Sequence, residues 1–414
     1  MIELYQANSP AAFWRLLTPE PDEAEWARSI QAAAVELPAQ ARGAGDDLGH
    51  ILLNTLGEGQ FGPDHWQLGW AQRVFYAMRP VLPHSLRRRI RRLGQALPAR
   101  SFSLDWPVES RYAAFQFAIL RDLLNRRGTD GRFINFWPRG RRFAFVLTHD
   151  VETAAGQRYV NAVADLDAAY GFRSSFNFVA EDYPLDRDLF RDLASRGFEI
   201  GIHGLRHDGK LFSSYDAFMD RARRINQYLR EFGAVGFRAP VMHRQPEWMQ
   251  ALAIEYDLSF FDTDPYEPIR GGTMSIWPFE LGHFVELPYT LVQDHTLTAI
   301  LGQTTPKIWL DKVDFIEAYG GLALLNSHPD YLRDGTSWRV YEAFLKAMHQ
   351  RAGLFWHALP REVARWWRTR REAPTVESLP DGVVAVFSRD RAGSGADGIS
   401  IVAEPNTQER PTPR

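Results

Sequence analysis

From residue 141 onward, short apolar runs alternate with amphipathic helical segments, and this alternation constrains the fold more than any other feature of the sequence. The candidate strands are 143–147, 174–179, 199–203, 235–238, 258–262, 285–289 and 322–326. The segments with helical spacing between them are 157–170, 186–196, 214–232, 246–256, 306–319 and 337–351. Strands that alternate with helices form parallel βα units. Seven strands suffice for a barrel, so the sequence predicts an α/β fold, a distorted (β/α)7 barrel.

The chain has 414 residues, which exceeds the usual size of one domain. Apolar residues recur at helical spacing in three segments before the barrel, at 11–17, 71–78 and 112–124. We therefore expect four parts: a mostly helical N-terminal region at 1–140, the barrel at 141–355, a C-terminal helix with a short β-like extension at 356–402, and a disordered tail at 403–414.

Composition and charge exclude several classes of site and partner. The sequence contains no cysteine, so thiolate ligands are excluded and a bound metal would need His and carboxylate ligands. A net charge of -3 argues against a dedicated nucleic-acid-binding protein. No apolar run approaches the roughly 20 residues of a transmembrane helix. The first residues show no signal-peptide pattern, so we expect a cytoplasmic location.

One basic segment allows two interpretations. Residues 85–93, SLRRRIRRL, place five arginines around three apolar residues. A basic amphipathic helix of this kind could make a weak contact with a membrane surface or an anionic glycan. A solvated helix face explains the same pattern, and we favour that interpretation.

Polar clusters lie at the carboxyl ends of five candidate strands. They are THDVE at 148–152, HGLRH at 203–207, RAP at 238–240, DTD at 262–264 and SHP at 327–329. In parallel α/β barrels the loops at this end converge on one mouth, where catalytic groups lie. The positions of the clusters therefore predict one active site.

Two histidines and two carboxylates in these clusters could bind a metal. His203 and His207 have H-x-x-x-H spacing, which brings two imidazoles close enough to share an ion. Asp150 and Glu152 are two residues apart after an apolar strand, so both can point into the mouth if the strand continues. One carboxylate could complete a His-His-carboxylate triad, and the other could act as general base.

Two further residues could take part in catalysis. A guanidinium at Arg238, restrained by the following Ala-Pro, can anchor a catalytic carboxylate through two parallel hydrogen bonds and lower its pKa. His328 follows an apolar strand and could protonate a leaving group.

Taken together, the motifs resemble those of the NodB-like polysaccharide deacetylases, carbohydrate esterase family four. The matching segments are LTHDVE at 147–152, EIGIHGLRH at 199–207, GFRAP at 236–240, FFDTD at 260–264 and LNSH at 325–328. RSSFNF at 173–178 and LASRGFE at 193–199 are similar to the second strand of that family and to the helix before its first histidine. The resemblance covers about 143–355 and depends on the set of motifs, not on any single one.

The resemblance implies a metal-dependent hydrolase that removes N- or O-acetyl groups from a polysaccharide or glycan intermediate. It implies a NodB-type barrel in which His203 and His207 bind a divalent metal, with zinc as the expected ion. Asp150 would be the general base, Arg238 its anchor and His328 the general acid. The expected partner is an acetylated carbohydrate.

The sequence departs from the family pattern at several positions. Asp150-Val-Glu152 replaces an adjacent Asp-Asp pair, which leaves Glu152 or Asp150 as the metal-binding carboxylate; we assign Glu152. Gly204 stands where the family has Ser or Thr, and two residues instead of one separate Leu325 from His328. Three aspartates are candidates for orienting His328: Asp262, Asp264 and Asp294.

Two other functions remain open at this point. The wider superfamily also implies hydrolysis of a non-sugar C–N bond, as in a cyclic amide or ureide. A catalytically inactive glycan-binding module is the third interpretation, against which the joint presence of the acidic, basic and histidine residues argues.

Overall fold

A computed structural model describes residues 1–17, 20–43, 47–69, 102–388 and 399–401. The predicted helical segment at 71–78, the basic segment at 85–93 and the predicted disordered tail at 403–414 lie outside these residues. No helix in the described ranges is both long and apolar enough to cross a membrane.

The helices before and within the barrel differ in length and in how they begin. The α-helices are α1 Pro10–Trp14, α2 Glu23–Ala33, α3 Ala39–Arg42, α4 Leu48–Asn54, α5 Arg111–Arg127, α6 Ala154–Gln157, α7 Val160–Ala169, α8 Arg187–Ser195, α9 Tyr215–Phe232, α10 Pro246–Met249, α11 Lys307–Tyr319, α12 Pro329–Leu332, α13 Gly335–Gln350 and α14 Pro360–Glu372. Asp186, Ser214 and Asp334 cap α8, α9 and α13 by accepting hydrogen bonds from first-turn amides.

The strands form two sheets. They are β1 Gly131–Ile134, β2 Phe143–Val151, β3 Ser175–Phe178, β4 Glu199–Ile202, β5 Gly236–Phe237, β6 Tyr256–Asp257, β7 Phe279–Leu281, β8 Phe284–Glu286, β9 Leu322–Ser327, β10 Phe355–His357, β11 Val384–Phe387 and β12 Ile399–Ile401. The large sheet runs β9-β2-β3-β4-β5-β6-β8 with parallel pairing throughout, and β7 pairs antiparallel with β8. All nine residues of β2 are buried, as expected for a parallel strand covered on both faces.

The segment that follows β8 closes the parallel sheet into a barrel. Tyr289 forms a parallel bridge with Phe261, beyond β6, and Leu291 forms one with Leu325 in β9. The two-residue strands β5 and β6 and this bridged closure make the barrel irregular. The predicted distorted (β/α)7 barrel is therefore confirmed.

One predicted helix, 246–256, is wrong beyond Met249. The side chain of Asn226 in α9 donates to the carbonyl of Ala251 at 2.9 Å and accepts from the amide of Ala253 at 2.8 Å. These backbone groups bond to a neighbouring helix instead of continuing α10, because the side-chain amide offers them an alternative partner.

The regions on either side of the barrel share a small antiparallel sheet. It has the order β1-β11-β12, so that a strand from before the barrel pairs with strands from after it. Edge-to-face ring contacts join Trp14 to Phe117 of α5 and to Phe133 of β1. The described residues of the N-terminal region are mostly helical as expected, and the domain boundaries stay predictions.

Thr290 lies in the segment that closes the barrel and bonds to β9. Its buried hydroxyl donates to the carbonyl of Leu322 at 2.7 Å and accepts from the amide of Leu324 at 3.1 Å. The change Thr290→Val keeps the shape but leaves both groups of β9 without these bonds. We expect a loss of about 2 to 3 kcal/mol in the free energy of unfolding, measured in urea.

Thr369→Val is the matched control, because the Thr369 hydroxyl bonds to the carbonyl of Arg365 on the exposed face of α14. It should change the free energy by about 0.5 kcal/mol or less. Equal losses in the two variants would contradict the role given to Thr290.

Candidate metal centre and catalytic pocket

The barrel brings the six predicted site residues together at the carboxyl ends of its strands. Five of them line one pocket of about 40 Å³: Asp150, Glu152, His203, His207 and His328. Arg238 is fully buried behind Asp150. The pocket therefore lies where the positions of the clusters predicted it.

Glu152, His203 and His207 could hold a metal ion. Each offers one ligand atom, and these atoms lie within 4.8 Å of one another. Nε2 of His207 is 3.0 Å from Oε1 of Glu152. Two imidazoles and one carboxylate form a donor set that suits zinc and leaves positions open for water and substrate.

The protonation state of His203 suits a metal ligand. Its Nδ1 lies 3.1 Å from the carbonyl oxygen of Arg238, which can only accept, so Nδ1 carries the proton and Nε2 keeps its lone pair. Burial lowers the pKa of His203 to about 4, although the charge of Asp150 opposes this shift. A neutral imidazole is the form that binds a metal.

Asp150 is held as a carboxylate by three donors. Its Oδ1 accepts from Arg238 and from the side-chain amide of Asn177, both at 3.0 Å, and Oδ2 accepts from that of Asn326 at 2.8 Å. Burial raises the pKa of this carboxyl, but the positive charge of Arg238 and the other contacts outweigh it. The pKa of Asp150 therefore lies well below its usual range.

Arg238 contacts Asp150 through one nitrogen only. Nη1 reaches Oδ1 of Asp150 and also bonds Thr148 at 2.9 Å and Asn326 at 2.6 Å, while Nε donates to the carbonyl of Leu258 at 2.9 Å. The expected pair of parallel hydrogen bonds is not formed, because Nε is turned toward the backbone beyond β6. The arginine is nonetheless the cation nearest the carboxylate.

Asp294 is the aspartate that contacts His328. Nδ1 of His328 lies 2.7 Å from Oδ1 of Asp294, and the amide of His328 donates to Oδ2 at 3.0 Å. Burial lowers the pKa of His328, but the Asp294 carboxylate and its hydrogen bond raise it further, to about 9. His328 is therefore protonated at neutral pH.

The other two candidate aspartates lie elsewhere in the barrel. Asp262 forms an ion pair with Lys312 at 2.5 Å. Asp264 accepts from the hydroxyl of Tyr289 at 2.8 Å and from the amide of Tyr266 at 2.7 Å. Both therefore have structural partners away from His328.

Sequence reasoning missed the two asparagines that hold Asp150. Asn177 lies in β3 and Asn326 in β9, and both side chains are fully buried. A buried amide must find hydrogen-bonding partners. An amide side chain within each candidate strand was the signal that could have identified them.

A second hydrogen-bond network, which the sequence analysis did not identify, lies directly behind the pocket. His149 contacts Ser327 through Nδ1 at 2.8 Å and Asp167 through Nε2 at 3.0 Å. These are the residue types of a serine-hydrolase triad, but all three side chains are fully buried, so a substrate cannot reach Ser327. The network instead ties β2 to β9 next to Asp150 and His328.

No family model and no curated protein sequence matches this chain. Among solved structures, the probable polysaccharide deacetylase of Pseudomonas aeruginosa PAO1 is 17% identical, with a TM-score of 0.47 over 58% of this chain and 95% of its own. An allantoinase is 16% identical, with a TM-score of 0.47 over 56% and 92%. The peptidoglycan deacetylase PdaC from Bacillus subtilis is 13% identical, with a TM-score of 0.38 over 56% and 95%.

The matched structures include polysaccharide deacetylases, the family that the sequence motifs resemble. At these identities and TM-scores the matches do not establish an activity. The barrel assignment rests on the strand order and its closure, and the chemistry proposed for the pocket rests on the side chains that line it.

Proposed function

We propose that this chain is a metal-dependent hydrolase that removes acetyl groups from a polysaccharide or glycan intermediate. One observation carries the proposal: a His-His-carboxylate set adjoins a fixed carboxylate on one side and a charged histidine on the other. The ligands would be Glu152, His203 and His207. A divalent ion bound there, zinc by the donor set, supplies Lewis acidity to the acetyl carbonyl and to the attacking water.

Asp150 is suited to accept the proton of that water. The charge of Arg238 keeps it ionised, and the amides of Asn177 and Asn326 fix its orientation. Its low pKa makes it a weak base, so this role would need a water acidified by a metal held at the adjoining ligand set. Oδ2 of Asp150 lies 4.0 Å from Nε2 of His203 in that set.

His328 is suited to supply the proton that the leaving group needs. Water adds to the acetyl carbonyl carbon, and the bond from that carbon to the sugar nitrogen or oxygen then breaks. His328 gives its Nε2 proton to the departing atom, and acetate and the free amine or hydroxyl result. Asp294 holds the imidazole through Nδ1, which leaves Nε2 directed toward the pocket, 3.9 Å from Glu152.

Metal content tests the ligand assignment. The change His203→Ala should remove the stoichiometric divalent ion from the purified protein and abolish acetate release from acetylated oligosaccharides, because two ligands cannot hold the ion. Elemental analysis measures the metal and an enzyme-coupled assay the acetate. His50→Ala, at an exposed histidine paired with Asp47, is the control and should keep both. A wild-type protein without bound metal would refute the proposal.

The variants Asp150→Asn and Glu152→Gln separate base from ligand. We expect Asp150→Asn to keep the metal and lose about 10² to 10⁴ in kcat, the usual contribution of a general base. Glu152→Gln should instead lose metal affinity. The two variants change charge equally, so elemental analysis beside kcat distinguishes them. Loss of metal in Asp150→Asn alone would exchange the two roles.

Asp294→Asn tests the acid through pH dependence. The acid must be protonated, so activity falls as pH rises through the pKa of His328. Removing the Asp294 charge lowers that pKa, so the alkaline limb of kcat/KM should move to lower pH by about one unit or more. Asp334→Asn, at the cap of α13, should leave the limb in place because Asn also caps helices. An unchanged limb in Asp294→Asn would remove His328 from the role of acid.

The product decides between the proposed reaction and its alternative. Opening of a cyclic amide or ureide would use the same base and acid but release no acetate. Ring-opened product in the absence of acetate release would replace the deacetylase assignment.

A further inference from the structure

The catalytic pocket is small beside a neighbouring cavity. The pocket has a volume of about 40 Å³, and the second cavity, of about 320 Å³, shares Pro268 with it as a wall. A glycan chain whose reacting group enters the pocket could therefore extend into the larger cavity. Ile269 in this cavity packs with Val241, which lines the catalytic pocket.

The walls of the second cavity combine aromatic rings with polar groups. The ring of Phe61 is stacked on His65 at 4.6 Å between centroids and lies parallel to Phe102 at 6.3 Å. Ser103 and Arg270 also line it. Apolar faces with a few placed polar groups are the usual composition of a ligand-binding cavity.

Arg270 lines this cavity, and within the described ranges no carboxylate forms an ion pair with its guanidinium. Burial alone lowers the pKa of Arg270, and no neighbouring carboxylate offsets that effect. An arginine side chain is effectively always protonated, so Arg270 stays charged. A partly buried cation of this kind would gain from a bound anion.

The segment that carries Arg270 is fixed by buried contacts. Glu58 pairs with Arg244 at 2.5 Å and accepts from the amide of Gly272 at 2.7 Å. Asp264 and Gly271 form an antiparallel bridge at the base of the loop 264–271. The base of the loop and the backbone directly after Arg270 are therefore held before any ligand arrives, which lowers the ordering cost of binding.

We propose that this cavity binds an acidic sugar of the substrate, with the sugar carboxylate on Arg270 and the ring against Phe61 and Phe102. The link between this cavity and catalysis rests on the proposed function. The substrate would then be an anionic glycan. The sugar that carries the acetyl group would lie at the catalytic pocket, and the acidic sugar would lie beyond Pro268.

Direct binding tests the cavity without relying on catalysis. Tri-galacturonate, which carries carboxylates but no acetyl groups, should bind the metal-loaded protein more tightly than neutral chitotriose in calorimetry. Arg270→Gln should weaken tri-galacturonate binding by about tenfold and leave chitotriose unchanged, because only the charged contact is lost. The control Arg230→Gln changes an exposed arginine in the last turn of α9, at the amino end of β5, and should alter neither.

The outcomes separate the two proposals. Equal binding of the two trisaccharides, or an unchanged dissociation constant in Arg270→Gln, would overturn the subsite. With partly acetylated oligogalacturonides, Arg270→Gln should raise KM by about tenfold and keep kcat. Binding that depends on Arg270 without any acetate release would support the subsite and refute the deacetylase. Acetate release that is insensitive to Arg270→Gln would do the reverse.

Discussion

The buried contact between Arg238 and Asp150 joins most of the barrel at the floor of the pocket. Arg238 follows β5 and reaches Asp150 and Thr148 in β2, Asn326 in β9 and the backbone beyond β6. Both charged side chains are almost wholly inaccessible to water. Neither charge could stay buried without the other, because an unpaired buried ion costs several kcal/mol. One interaction therefore links four strands at the pocket floor and keeps the proposed base ionised.

The same pocket holds two groups in opposite charge states through their surroundings. Burial works against the charge of both Asp150 and His328, yet Arg238 keeps the first ionised and Asp294 keeps the second protonated. Groups whose pKa values are pushed apart in this way are suited to act as base and acid. Between them, His203 is left neutral by burial and able to bind a metal. The proposed roles of acid, base and ligand thus follow from the neighbours of each side chain.

Hydrophobic periodicity predicted the strands of the barrel, and the polar residues at the strand ends predicted the position of the pocket. Six of the seven barrel strands overlap their predicted ranges, whereas the predicted strand 258–262 lies just after β6. The convergence of the polar clusters follows because parallel strands present their carboxyl ends on one side. Asp294 could not be chosen over Asp262 and Asp264, since the choice depends on the path of the chain after β8. The cavity beside the pocket could not be predicted from the sequence either. It depends on Glu58 meeting Arg244, which is 186 residues away in the sequence.

Residue types alone also do not determine chemistry, as the network of His149, Asp167 and Ser327 illustrates. Its distances would suit nucleophilic catalysis, but Ser327 is fully buried and Asp167 also accepts from Ser174 and Tyr341. The extra donors satisfy the carboxylate as a structural group. The chain thus places two histidine–aspartate pairs on neighbouring strand ends. Only His328 faces a cavity, so access to the pocket, and not the pairing itself, separates the proposed acid from a structural histidine.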